Sequence, residues 1–130
     1  MTASRHWPEL RLLYGTAQPP DPGTCALFYV HIDERNTSVT FGFETPQLPP
    51  YPKPEWSAKP YNTLRFFVEF TDVTDFRMAG ILAEAERSFR IAEDTSGFLD
   101  VAVVGDRREI SFRAAASRVT QIRVELQGGV

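Results

Sequence analysis

Between residues 63 and 73 the apolar and polar positions alternate. Leu64, Phe66, Val68 and Phe70 fall two apart, with Arg65, Phe67, Glu69 and Thr71 between them. Successive side chains of a strand point to opposite faces, so this run predicts a strand with four large apolar groups on one face. The other face is polar except for Phe67. Removing each of the four from water is worth about 1.5–3 kcal/mol. No other stretch commits so much apolar surface to one side, and the run is expected at the centre of the core sheet.

The same reading extends along the chain. Residues 7–15 predict a short helix: Pro8 suits a first turn, Glu9 suits its positive end and Gly15 is a stop signal. Trp7, Leu10 and either Leu13 or Tyr14 would share one side and cap a sheet. A proline-rich loop over 17–23 leads to a strand over 24–33, in which Phe28, Val30 and Ile32 alternate with Leu27, Tyr29 and His31. A turn over 34–37, with Asn36 able to take the left-handed conformation, joins it to a strand over 38–44. There Val39, Phe41 and Phe43 are expected inward, and Thr40, Gly42 and Glu44 outward.

Residues 45–62 hold six prolines, which remove backbone donors and break helices, so regular structure is not expected. A strand to about Leu82, a turn or single helical turn over 83–86 and strands over 88–93, 98–104 and 109–115 follow. Turns at 94–97 and 105–108 separate them, and Gly42, Gly80, Gly97 and Gly105 read as isolated, turn-like glycines. The last strand, over 118–126, steps from Val119 to Ile122, which breaks the period of two and predicts a bulge near Thr120–Gln121. Residues 127–130 should fray. The fold class is therefore mainly β: an antiparallel sheet or β-sandwich of about seven to eight strands, with a short N-terminal helix and a long proline-rich loop.

Composition narrows the picture. A chain of 130 residues suits a single all-β domain that needs no metal or disulfide to fold. One cysteine, Cys25, excludes an intramolecular disulfide. A net charge of −3 with interspersed signs argues against a nucleic-acid partner. The first residues lead into no long apolar core, and no stretch has the ~18 apolar residues of a membrane span. A cytoplasmic protein that engages no membrane is expected.

No catalytic constellation stands out. Cys25 and His31 fall on one expected strand, on the same side but about 20 Å apart, too far to act together. Asp72 and Asp75 are three apart at a strand end and read as turn formers, not metal ligands. Glu84, Glu86, Glu93 and Asp94 read as solvated turns, and Arg107-Arg108 as a hairpin tip. No cofactor, no metal and no enzymatic activity are expected. An enzyme would need a polar cluster assembled from distant positions.

The proline-rich stretch is the most unusual segment because it also carries Tyr51, Trp56 and Tyr61. Residues 48–54 can form a polyproline II helix, or the loop can cross the sheet end with its rings packed on the core. From composition and expected exposure, Tyr51, Trp56 and Tyr61 are candidate contact aromatics for a partner. Glu44, Glu55 and Asp72 are candidate charge partners.

The order of these features resembles the immunity protein 50 family of bacterial polymorphic toxin systems. The likeness runs from Trp7 to Val124. It is carried by Trp7 and the segment Leu10-Arg11-Leu12-Leu13-Tyr14-Gly15, then a Pro-rich stretch ending in Trp56. The entry Tyr61-Asn62-Thr63-Leu64, the step Val73-Thr74-Asp75-Phe76, and the closing Ile110-Ser111-Phe112-Arg113-Ala114 and Ile122-Arg123-Val124 complete it. The three prolines between Ala17 and Gly23 depart from it. The resemblance implies a small cytoplasmic protein that binds and neutralises a cognate toxin domain made by the same or a neighbouring cell. It implies no catalytic set. The alternative function is a β-barrel or sandwich that holds a small apolar ligand, which the ten Phe residues permit.

Overall fold

A computed structural model describes residues 7–80 and 87–128. One helix, α1 (Pro8–Tyr14), precedes eight strands: β1 (Ala26–Asp33), β2 (Ser38–Thr45), β3 (Thr63–Thr71), β4 (Thr74–Ala79), β5 (Arg87–Glu93), β6 (Leu99–Gly105), β7 (Arg108–Ala114) and β8 (Ala116–Glu125). They form two four-stranded antiparallel sheets, in the orders β1-β2-β3-β8 and β4-β7-β6-β5. Among the described residues no helix is long and apolar enough to cross a membrane.

The alternation on β3 places Leu64, Phe66, Val68 and Phe70 fully inside, between β2 and β8. Val39, Phe41 and Phe43 of β2 join them. The second sheet answers with Val101 and Val103 of β6 and Ile110 and Phe112 of β7. Phe41 is the hub: its ring meets Phe43, Phe70, Phe89 and Phe112 at centroid distances of 5.6–6.1 Å, all steeply tilted. Such edge-to-face pairs match the positive edge of one ring to the negative face of the next.

α1 forms as expected, with Pro8 in its first turn and Gly15 at φ 59° after its end. Leu13 and Tyr14 are both buried, together with Trp7 and Leu10. The Trp7 indole meets Phe66 and donates to Ser117 Oγ at 3.0 Å, which ties the helix to β8. The Tyr14 hydroxyl donates to the Gln47 carbonyl at 2.5 Å, and its burial raises its pKa far above the ordinary tyrosine value.

Two bulges in the first sheet set which of its side chains face outward. On β8 the register jumps between Phe67↔Gln121 and Val68↔Val119, so Thr120 is the extra residue, where the broken period predicts it. On β1 the jump falls between Leu27↔Phe43 and Tyr29↔Gly42, which makes Phe28 extra. That bulge reverses the parity of β1. Leu27 faces the core, whereas Tyr29 and His31 face solvent. Cys25 is buried just ahead of the strand, its Sγ 3.4 Å from the Asp21 carbonyl, so it does not share a face with His31.

Other expectations shift locally. The left-handed residue of the first hairpin is Thr37, at φ 47°. Asn36 instead donates from its backbone and its side-chain amide to the Asp33 carboxylate. The proline-rich stretch does contain regular structure, a 3-10 helix over Pro54–Ala58, because Pro54 occupies its first turn, where no donor is needed. β4 stops at Ala79, before Gly80 at φ 75°, and the turn expected over 83–86 lies outside the described residues. Asp72 holds φ of 53° in the turn between β3 and β4, as expected, whereas Asp75, at φ 54°, lies inside β4 where its register with β7 is irregular, not in a turn. Gln127 does not fray: its backbone N–H and C=O bond the Asn62 side chain at 2.8 and 2.9 Å.

Candidate binding surface

The outer face of the first sheet is built around a glycine. Gly42 lies in mid-strand, not in a turn, paired with Tyr29 on β1 and with Phe67 on β3. A Cβ there would come within 2.8 Å of Tyr29 Cβ and 2.9 Å of Phe67 Cε2. Its absence lets rings from both neighbours close over the backbone. Phe67 meets Phe28 and Tyr29 edge-on, with centroids 5.6 and 5.5 Å away, and His31 stacks on Tyr29 at 6.3 Å. Phe28 joins the cluster because the β1 bulge turns it to the same face.

Charged groups frame the rings. The Arg65 guanidinium lies 4.4 Å from the Phe28 ring centre. Its Nε donates to Glu44 at 3.0 Å and it pairs with Glu125 at 2.6 Å. Glu44 also accepts from the Gln127 side chain at 2.7 Å. Arg123 lies 5.3 Å over Phe67, and Arg118 Nε donates to Glu69 at 2.9 Å. A depression of about 360 Å³ opens among Phe28, Tyr29, His31, Phe67 and Arg123.

A second depression, of about 490 Å³, lies where the proline-rich segment meets the end of β8. Trp56 and Tyr61 stand edge to face 6.3 Å apart, with Lys53 Nζ 5.6 Å from the Trp56 ring. Glu55, Val124, Glu125 and Leu126 complete its walls. Glu125 is shared: it lines this cleft and bonds Arg65. The Asn62–Gln127 pairing fastens the two chain segments that form the cleft.

Of the six residues singled out in the sequence, Glu55, Trp56 and Tyr61 come together in this cleft. Glu44 joins the neighbouring ion-pair lattice. Tyr51 and Asp72 line neither depression. Tyr51 covers Gly15 at the end of α1, where a Cβ would lie 2.5 Å from its ring, and its backbone N–H bonds Leu13 O at 3.0 Å. Sequence reasoning missed Phe28, Tyr29, His31, Arg65 and Arg123. The signal was an aromatic in the polar row of β3 and a glycine in the polar row of β2.

The outer face of the second sheet carries small residues, Ala92, Ala102 and Ser111, between Arg77 and Arg90. Among the described residues no group of three or more His, Cys, Asp or Glu is placed to hold a metal ion. The surface therefore offers ring faces, guanidinium groups and carboxylates for contact.

The family model described as Immunity protein 50 matches residues 13–125. No curated protein and no solved structure matches the chain.

Proposed function

The chain belongs to the immunity protein 50 family, and from that premise we propose that it neutralises a cognate toxin domain in the cytoplasm by binding it, transforming nothing itself. The proposed contact surface is the outer face of the first sheet, continued into the Trp56–Tyr61 cleft. One observation carries this choice: Phe28, Tyr29 and Phe67 are gathered over Gly42 on an outward face. Rings held by a sheet lose little freedom on binding, and aromatic and Arg side chains dominate interface energetics. The arginines beside them are held by carboxylates or rings, so the surface is ordered before a partner arrives. Glu55 and Lys59 at the cleft rim can set orientation. The alternative of an apolar ligand draws support from the abundance of Phe and from an open depression of about 530 Å³ lined in part by Ile32, Val39, Val73 and Phe76.

The test is co-expression with the toxin encoded beside the gene, reading co-purification and rescue of growth. Tyr29→Ala and Trp56→Ala are each expected to weaken the complex by about tenfold or more. Leu12→Ala on α1, where Leu12 is 77% exposed, is the control and should change nothing. Failure of rescue against every neighbouring toxin would sink the proposal. Loss of binding in Leu12→Ala alone would move the surface to the helix.

A further inference from the structure

Among the described residues three arginines, Arg65, Arg118 and Arg123, stand on the outer face of the first sheet, and one is under-satisfied. Arg65 Nε and Arg118 Nε donate to Glu44 and Glu69. Among the described residues Arg123 Nε has no hydrogen-bond partner; the atom itself is shielded, while the side chain as a whole is 42% exposed. Its nearest carboxylate oxygen, on Glu125, is 3.7 Å away, beyond hydrogen-bond reach, because Glu125 is drawn to Arg65 at 2.6 Å. A shielded donor without an acceptor is costly, and most such groups in folded proteins have an acceptor, from protein or water. Beside it the depression over Phe67 is lined by His31, Thr40, Thr120 and Gln121 as well as the rings, and by no carboxylate.

We infer that this depression receives a single carboxylate side chain of the protein partner, bound by Arg123 over the Phe67 ring, with His31 and Gln121 at its rim. The ring beneath Arg123 excludes water from one side of the guanidinium and strengthens a charge-assisted bond to an incoming oxygen. One acidic side chain fits better than a polyanion. Glu44, Glu69 and Glu125 stand on the same face, and the chain carries a net charge of −3, so a run of phosphates would meet repulsion. The inference rests on the reading that the partner is a protein, and its first test does not need that partner.

Acetate is titrated into the whole protein to about 0.1 M at constant ionic strength, which holds screening fixed. The arginine Nε–H signals are followed by NMR. The Arg123 signal is expected to shift several-fold more than those of Arg65 and Arg118, whose donors are occupied. Equal shifts at all three overturn the inference, as does a larger response to a short single-stranded DNA than to acetate. With a cognate toxin in hand, Arg123→Lys, which keeps the charge and loses Nε, should weaken binding about thirtyfold. If the toxin binds this variant as tightly as the wild type, the receptor is wrong and the neutralising role stands. If no neighbouring toxin binds the wild type, the neutralising role falls and the acetate titration alone decides the receptor.

Discussion

Arg65 and Arg113 are built alike on opposite faces of the sandwich. Each lies over a phenylalanine, Arg65 4.4 Å from the Phe28 ring centre and Arg113 4.7 Å from that of Phe98. Each sits between two carboxylates, Glu44 and Glu125 for the first, Asp94 and Asp100 for the second. Their surroundings differ. Both stand on inner strands, but Arg65 lies among rings that converge over Gly42 from two neighbouring strands. Arg113 serves the β5–β6 hairpin, whose turn Asp94 organises, and beside it the sheet presents Ala92, Ala102 and Ser111. The same arginine clamp thus frames an aromatic surface on one sheet and fastens a turn on the other. A stacked, paired arginine alone therefore does not set the proposed contact face apart from the other. The rings gathered beside Arg65 do.

The largest expected effect sets the scale for both faces and lies between them. Phe41 is fully buried and touches rings from both sheets. Phe41→Ala should cost about 3–5 kcal/mol in urea unfolding, through lost transfer energy and the cavity left behind. Loosening the inner layer loosens both outer faces, so this variant cannot assign function to either. A cost below about 1 kcal/mol would mean the rings do not pack as described.

A pair of mid-strand substitutions separates the faces more sharply. Gly42→Ala adds one methyl where Tyr29 Cβ, Phe67 Cε2 and Phe28 Cε1 lie 2.8, 2.9 and 3.1 Å away. It should cost about 1–3 kcal/mol by overpacking and drive the three rings apart. Toxin binding should weaken with it. Ala102→Val on the second sheet adds two methyls at the rim of an open depression and should stay within about 0.5 kcal/mol, with binding unchanged. Urea midpoints and pull-downs of the two variants give the comparison. Equal costs at the two positions would erase the distinction between the faces.

What the sequence revealed follows from the range of the forces involved. The period-two run on β3 and the broken step on β8 report burial directly, so strand and bulge were readable from apolar spacing. The bulge at Phe28 was not, because residues 27–32 carry large groups on both sides, with no polar row to mark the phase, and an extra residue leaves no break. Losing it assigned Tyr29 and His31 to the wrong partners. Phe67 and Gly42 were each visible as oddities in a polar row. Only the pairing register places them opposite one another, and register depends on contacts distant in sequence. Trp56 and Tyr61 were chosen on composition, and the structure seats them edge to face in one cleft. Tyr51, chosen on the same grounds, lies apart from them: one edge of its ring rests on the bare backbone of Gly15, while the residue stays 62% exposed.

The smallest expected effect concerns the second face and its pH dependence. The Asp94 carboxylate accepts from the Ser96 backbone and hydroxyl and from the Phe98 N–H, and it pairs with Arg113. The Ser96 hydroxyl and then Arg113 hold its pKa down, from the usual 3.8 to about 2. Its folded pKa lies below its unfolded one, so its contribution to stability is complete above pH 3.8 and is lost as pH falls through about 2. Asp94→Asn keeps the turn-forming oxygen and removes the charge. The variant should be less stable than the wild type at neutral pH, and the gap should close between pH 3.8 and about 2. Unfolding midpoints of both proteins across that interval give the measurement, and toxin binding at neutral pH should be the same for the two. A gap that persists unchanged to pH 2 would show that the Asp94–Arg113 pairing contributes nothing to stability. A loss of toxin binding would show that the second face, not the first, meets the partner.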